Sequence, residues 1–483
     1  MALLKMFIQS FILSFNISYT KKLNSFSVLL IFVSIFNVAL AQEMPIGSWA
    51  GQLMLGSDSR HSVIFHFSEG ADGKTTTLFD IPSLGFHSLQ AQGAFGEDSV
   101  RFVIDTFGGR YSYVAQYRPD KQQMTGYFSV AGTATSFTLQ ISPTDMDSLR
   151  PNRPQTPQPP YPYRQWTVTF PGGSPDVVLS GSVTAPKGKK KVPGVILLSG
   201  SGPHNRDGEQ FYHKTFQVLA DELTRRGFAV LRYDERGVGA STGRYSGTTI
   251  EEFAQDAKAA VRKLRSDKRL KVKDVYLIGH SQGSLEAHIV AAQDPSVAGV
   301  VLLAGVGLSG VESSKAQYRA LLKARGITEE QASQDLMMYD KSYEIVGQAP
   351  DSASAVAHLR EWHKEIELAS HYSQMYIAPF VDTWRFQFLH FDPAPYLQRI
   401  RVPVLFVGGD KDSQISVEKE SEAIRAGLAT NGNTKFQSFI LPGLNHFMQT
   451  AKSGAYDEPY TLEETFAPKG LEVIGNWLEQ QAQ

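Results

Sequence analysis

Residues 275–284 read VYLIGHSQGS. The first four are apolar and β-prone, the composition of a strand buried on both faces. Gly279, His280, Ser281, Gln282 and Gly283 then match G-x-S-x-G. Leu285, Ile289 and Ala292 follow at helical spacing, so the pentapeptide lies between a strand and a helix. That context is a nucleophile elbow: a tight turn forces Ser281 into a strained backbone conformation, and its neighbours must be small. The turn holds the hydroxyl at the C-terminal edge of a parallel sheet, above the N-terminus of the next helix.

Working outward, 195–198 is a second buried strand, 216–226 an amphipathic helix stopped by Gly227, and 228–233 the next strand. A helix at 250–265 precedes the elbow strand, and a strand at 299–303 follows the elbow helix. Residues 166–170 and 177–183 read as an antiparallel hairpin that opens the sheet. Beyond it the sheet resumes at 402–407 and 436–441, with a helix at 417–428 between them and a last helix that opens near Pro468. Strands alternating with helices imply a mostly parallel, doubly wound sheet covered on both faces. Residues 306–391 break the rhythm. They are helical, rich in Tyr, Met, Trp and His, and are expected to form a cap over the C-terminal edge of the sheet.

A serine nucleophile needs a base, an orienting acid and an oxyanion site. The acid should follow the strand at 402–407, where Gly409, Asp412 and Ile415 satisfy G-x-x-D-x-x-[VI]. Asp412 is the candidate; Asp410 is the runner-up and reads better as a turn former. The base should follow the final strand, and His446 lies there. Ser281, Asp412, His446 is the chain order expected for this sheet. The oxyanion donors should be the Gln282 N–H and one N–H in the loop 199–203, with Ser201 preferred and Gly202 as the alternative. His204, Asn205, Arg206 and Asp207 border the same cleft and either shape it or pin the loop. Residues 233–239, YDERGVG, lack the third glycine and opening helix of a dinucleotide fingerprint and read as a structural turn. In the cap, Tyr372, Tyr376, Phe380, Trp384 and Phe386 either line an acyl pocket or pack the cap.

Residues 43–145 alternate apolar and polar positions between turn signals such as Asp72-Gly73 and Gly108-Gly109, as in a small all-β sandwich or barrel. Trp49 is expected to plug one end of its core. His61, His66 and His87 read as ordinary strand positions rather than metal ligands. Residues 146–163 are a proline-rich linker, expected to be a semi-rigid spacer, and 164–483 form the catalytic domain. At the N-terminus, Lys21 and Lys22 precede an apolar run at 26–40 that ends in an A-x-A site at Ala39 and Ala41, so 1–41 reads as a secretory signal peptide. Residues 1–20 exceed what a signal needs, which fits a start downstream of Met1; an uncleaved anchor is the alternative. The expected location is periplasmic or extracellular, without stable membrane association after cleavage.

Composition narrows the remaining classes. The formal net charge is −1, which gives no general attraction to nucleic acid or anionic membranes. With no cysteine, disulfides and thiolate chemistry are excluded. Oligomeric state is not legible.

Five segments carry a family resemblance: LLSGSGPHNRDG at 197–208, LRYDERGVGAST at 231–242, GHSQG at 279–283, PVLFVGGDKDSQI at 403–415 and PGLNHF at 442–447. Residues 164–480 resemble the α/β-hydrolase fold, in particular bacterial secreted serine esterases often labelled serine aminopeptidase-like. The resemblance implies Ser281, Asp412 and His446 as triad, no cofactor, no metal, and a small-molecule carboxylic ester as substrate. The chain departs from many relatives at Ser284, where a second glycine is common. A peptidase of the same fold is the runner-up; its fixed charge would come from Glu361, Glu365, Glu367 or Arg385 in the cap. An inactive binding protein is a further alternative. A haloalkane- or epoxide-type hydrolase is disfavoured, because it needs an aspartate at position 281.

Overall fold

The computed structural model describes residues 45–483 apart from 56–58, 70–74, 83–85, 97, 107–108, 131–135, 147–148, 189–190, 370–372, 374–375, 378–379 and 381–382. The expected signal segment, both glycine turns of the β-module and Tyr372 lie wholly or partly outside the described residues, as does the side chain of His87.

Eight antiparallel strands open the described chain: β1 Gly47–Leu55, β2 Ser59–Glu69, β3 Thr75–Ile81, β4 Phe86–Phe95, β5 Ser99–Thr106, β6 Gly109–Arg118, β7 Gln123–Val130 and β8 Ser136–Pro143. Each pairs with the next, and β1 also pairs with β8 through Trp49 opposite Pro143, so the sheet closes into a barrel. Alternation sends every second side chain inward. The interior is filled with aromatic rings: Phe65 stacks on Tyr113 at 5.3 Å, and Phe79 on Phe128 at 5.8 Å. Trp49 is buried edge-on to Tyr117 and Phe67. His66 of β2 bonds Ser48 of β1 and Asp80 of β3, linking three neighbouring strands.

The segment after the barrel differs from a free spacer. Arg153 donates to the carbonyls of Phe211 and Tyr460, at 2.8 and 2.9 Å. Gln155 donates to the Phe466 carbonyl and accepts from the Thr465 and Phe466 N–H groups. These two polar side chains strap the proline-dense segment to loops some three hundred residues away in sequence.

The second layer system is an eight-stranded sheet. In chain order its strands are β9 Arg164–Pro171, β10 Val178–Ala185, β11 Gly194–Leu198, then, after a short hairpin of β12 Glu209–Gln210 and β13 His213–Lys214, β14 Ala229–Tyr233, β15 Val275–His280, β16 Val297–Leu303, β17 Val404–Gly409 and β18 Phe436–Leu441. Their spatial order is β18-β17-β16-β15-β11-β14-β10-β9. β9 and β10 form the antiparallel hairpin and β10 meets β14 antiparallel; all other pairings are parallel. The central strands β11, β14 and β17 are buried throughout, which explains their largely apolar sequence; Arg232 of β14 is the buried exception. Helices Thr215–Arg225, Ile250–Ser266, Gly283–Gln293, Val417–Ala429 and Pro468–Gln481 belong to this body. Between β16 and β17 the insertion includes the helices Gly310–Ala324, Ser333–Gln348, Ser352–Glu365 and Thr383–His390, with a small core of their own around Tyr343, Val346, Leu359 and Phe380, and the short helix Ala394–Leu397 leads back to the sheet. The α/β-hydrolase fold, preceded by an all-β domain, is thus the architecture of the chain. No helix among the described residues is long and apolar enough to cross a membrane.

Candidate active site

Ser281 stands between β15 and the helix Gly283–Gln293 with φ at +52°, in the left-handed region that side chains rarely adopt. Its amide is held by the Leu303 carbonyl of β16 at 2.9 Å. The flanking glycines are required by space. A Cβ at Gly279 would meet the Gly283 carbonyl oxygen at 2.3 Å, and one at Gly283 would meet the Leu198 and Ser199 carbonyls at 2.4 Å.

Asp412 follows β17, with its side chain fully buried. One carboxylate oxygen accepts the N–H groups of Gln414 and Ile415, at 2.7 and 3.0 Å. The other meets His446 Nδ1 at 2.8 Å. A carboxylate only accepts, so it selects the His446 tautomer that carries its proton on Nδ1 and leaves Nε2 as a lone-pair base. Asp410 points elsewhere: it is exposed and accepts the Gly443 N–H at 2.6 Å, closing a turn. The loop that carries His446 is fixed by Asn445, whose Oδ1 accepts the Phe447 and Gln449 amides.

Ser281 and His446 line one cavity of about 570 Å³. No hydrogen bond joins the two side chains among the described residues, and such bonds often tighten only when substrate is present. Gln282 is buried, and its N–H has no acceptor among the described residues. Of the two loop candidates, which both line the cavity, Gly202 has its N–H committed to the Tyr245 hydroxyl at 2.7 Å, while the Ser201 N–H has no such partner among the described residues.

Three residues near the elbow carry weight that the sequence pattern did not assign. His280 donates from Nε2 to the His446 carbonyl at 2.9 Å, and its ring packs on that of His446 at 4.9 Å. Burial, reinforced by the neighbouring His446, pushes its pKa down to about 3, so it is a neutral prop. Ser284 is fully buried; its hydroxyl donates to the Ser281 carbonyl at 2.6 Å and accepts the Val306 N–H at 2.9 Å. Trp384, from the last cap helix, donates its indole N–H to the Gln282 side-chain carbonyl and so ties the cap to the elbow. Position x of G-x-S-x-G and the departure at Ser284 were the available signals for the first two; Trp384 stood out only as one of the cap aromatics, with no signal for its bond to Gln282.

Arg206, Asp207 and their neighbours pin loops. Arg206 makes a two-pronged ion pair with Asp234 and also reaches Ser180 and Ser182, while Asp207 pairs with Arg232. Of the described cap aromatics singled out above, Trp384 alone lines the cavity; Phe380 is buried in the cap core and Tyr376 bonds Asp335. Tyr318, Tyr339 and Tyr343 line it instead, and Leu89 of the barrel reaches its wall. Glu361, Glu365 and Glu367 are exposed and do not line the cavity, whereas Arg385 does.

Esterase EstD of Thermotoga maritima is 25% identical over 300 residues, which span 62% of this chain and 65% of that protein's length. Among solved structures, an esterase of Pyrococcus furiosus is similar over 69% of this chain and 98% of its own, at 17% identity and a TM-score of 0.41. A proline iminopeptidase of Mycobacterium smegmatis is similar over 66% of this chain and 99% of its own, at 18% identity and a TM-score of 0.41. The model of the serine aminopeptidase S33 family matches residues 208–449, half of the chain. That span includes Ser281, Asp412 and His446, and the chain belongs to this family.

Proposed function

We propose that the protein is a serine hydrolase that cleaves carboxylic esters through an acyl-enzyme intermediate. The observation that supports this reading most is the 2.8 Å contact between His446 and Asp412 at a cavity that Ser281 also lines. Ser281 attacks the ester carbonyl as its proton passes to His446 Nε2. Asp412 orients the ring and stabilises its cationic form. The N–H groups of Gln282 and Ser201 hold the oxyanion. His446 then returns the proton to the departing alcohol, and water, activated by the same base, releases the acid and restores Ser281. The Thermotoga relative's name, an esterase, points the same way, and the chain spans 65% of that protein's length.

The family's name makes aminoacyl substrates the second reading. An aminopeptidase anchors a substrate ammonium with a fixed acid, and Glu209 is the one acidic residue lining the cavity among the described residues. It already accepts from Asn205 Nδ2 at 3.4 Å. Export is part of the proposal, on the strength of the N-terminal pattern at 21–41; the mature N-terminus should then be Gln42.

Hydrolysis of p-nitrophenyl acetate, butyrate, octanoate and palmitate, beside aminoacyl p-nitroanilides, tests the reading in wild type and Ser281→Ala. Ester turnover that the variant loses supports it. Equal rates in both proteins, or anilide turnover alone, overturns it.

A further inference from the structure

The cap presents an unmatched positive charge to the cavity. Arg385 lies in the helix Thr383–His390, one residue after the Trp384 that grips Gln282 beside the nucleophile. It is half-buried and lines the same cavity as Ser281 and His446. Its guanidinium lies 5.7 Å from the centre of the Trp384 ring. It also stands near Tyr339 and Tyr343: burial pushes both phenols up, and the Arg385 charge opposes that push in each. No carboxylate lies within ion-pair distance of Arg385 among the described residues.

Neighbouring cations in the cap are treated differently. Arg319 is matched by Asp340 at 2.6 Å and Lys315 by Glu344 at 3.1 Å. A second cavity-lining arginine, Arg325, is exposed at the rim and likewise has no carboxylate partner among the described residues. A half-buried guanidinium without a counter-charge loses hydration and gains no ion pair in exchange, so a free anion has a ready site beside it. The planar fork of arginine suits a carboxylate in particular, through two parallel N–H···O bonds.

We propose that Arg385 is a specificity determinant for esters that carry a free carboxylate beyond the scissile bond. This rests on the esterase reading above and names the substrate class of that same site.

The test compares p-nitrophenyl hemiglutarate with p-nitrophenyl pentanoate, a neutral ester of matched chain length, as a ratio of kcat/KM. A parallel pair, 4-acetoxybenzoate and its methyl ester, puts the charge on the leaving group and shows on which side of the ester Arg385 acts. Wild type should favour the charged member of at least one pair about ten- to hundredfold, the range of a charged hydrogen bond. Arg385→Gln should bring that ratio close to one, and Arg385→Lys should keep part of it, since a point charge remains. High salt should reduce the wild-type ratio and leave that of Arg385→Gln in place. A wild-type ratio at or below one for both pairs, or a ratio that Arg385→Gln leaves intact, overturns the proposal.

If wild type hydrolyses none of the four esters, the esterase reading falls, and calorimetric titration with glutarate decides the anion site separately. Binding present in wild type and lost in Arg385→Gln keeps it; no binding in wild type removes it.

Discussion

Replacing Ser284 with alanine isolates the hydroxyl that braces the elbow. The hydroxyl is buried between two main-chain groups, the Ser281 carbonyl at 2.6 Å and the Val306 N–H at 2.9 Å. The Ser281 carbonyl would keep a second donor, the Ser284 amide at 3.0 Å. The Val306 N–H would keep none among the described residues, and an orphaned buried donor costs about 1–3 kcal/mol. Helix propensity adds no penalty for alanine, so this loss should dominate. Ser281 holds a left-handed conformation that costs about 1–3 kcal/mol and persists only while its surroundings impose it. Slackening that hold displaces Oγ from its line of attack, and a small misplacement can lower the rate by about a hundredfold. Ser284→Ala should therefore melt a few degrees lower and show kcat reduced about ten- to hundredfold with KM little changed. Ser284→Gly should melt lower still, by the roughly 1 kcal/mol that glycine costs in a helix. Differential scanning calorimetry and p-nitrophenyl ester kinetics read the two effects. A Ser284→Ala protein with wild-type kcat and an unchanged melting temperature would refute the reasoning.

Other perturbations separate roles within the site. Asp412→Asn removes the acceptor that fixes the His446 tautomer, so kcat should fall by about three to four powers of ten, while Asp410→Asn should have little effect on kcat. Trp384→Phe deletes the indole donor to Gln282; a neutral hydrogen bond is worth about 0.5–1.5 kcal/mol, so a loss of up to about tenfold in kcat/KM is expected, read with neutral esters. Acid should destabilise the fold through buried neutral histidines: burial lowers His280 to about 3, and His213 and His288 to about 4. With folded pKa values below the usual 6.5, the stability they contribute is complete above pH 6.5 and lost as pH falls toward 3, and urea midpoints measured across that range should track it. Glu286 runs the other way. Burial, with Asp256 nearby, raises it to about 8, so its contribution is present below about pH 4.5 and lost as pH rises through 8, a slope that Glu286→Gln should flatten.

What the sequence makes legible follows from the range of the interactions involved. Ser281, Asp412 and His446 are recognisable because each follows a strand of the parallel sheet, apolar throughout its first residues for Ser281 and Asp412 and the last strand of the sheet for His446, and a parallel sheet delivers such strand ends to one edge. The choice between Ser201 and Gly202 is not local. It turns on the Tyr245 hydroxyl, which occupies the Gly202 amide from 43 residues away. A sandwich and a barrel share the same alternation, and only the pairing of β1 with β8 distinguishes them. Helical periodicity in the cap marks apolar faces without saying whether a face meets the cavity or the cap's own core. Phe380 therefore reads like Trp384 in sequence, yet one is buried in the cap and the other touches the elbow. Proline density at 151–160 predicts stiffness but is silent on Arg153 and Gln155, whose partners near residue 460 are set by tertiary packing.

The central claim is that Ser281 carries the acyl group. Mass spectrometry of the protein after reaction with a fluorophosphonate probe, and after acid quenching during turnover of a p-nitrophenyl ester, reads this directly. The account predicts one adduct per chain, on the peptide that contains Ser281, absent in Ser281→Ala and strongly slowed in His446→Ala. Modification of a different residue, or an unmodified wild-type chain that still turns over the ester, would contradict it.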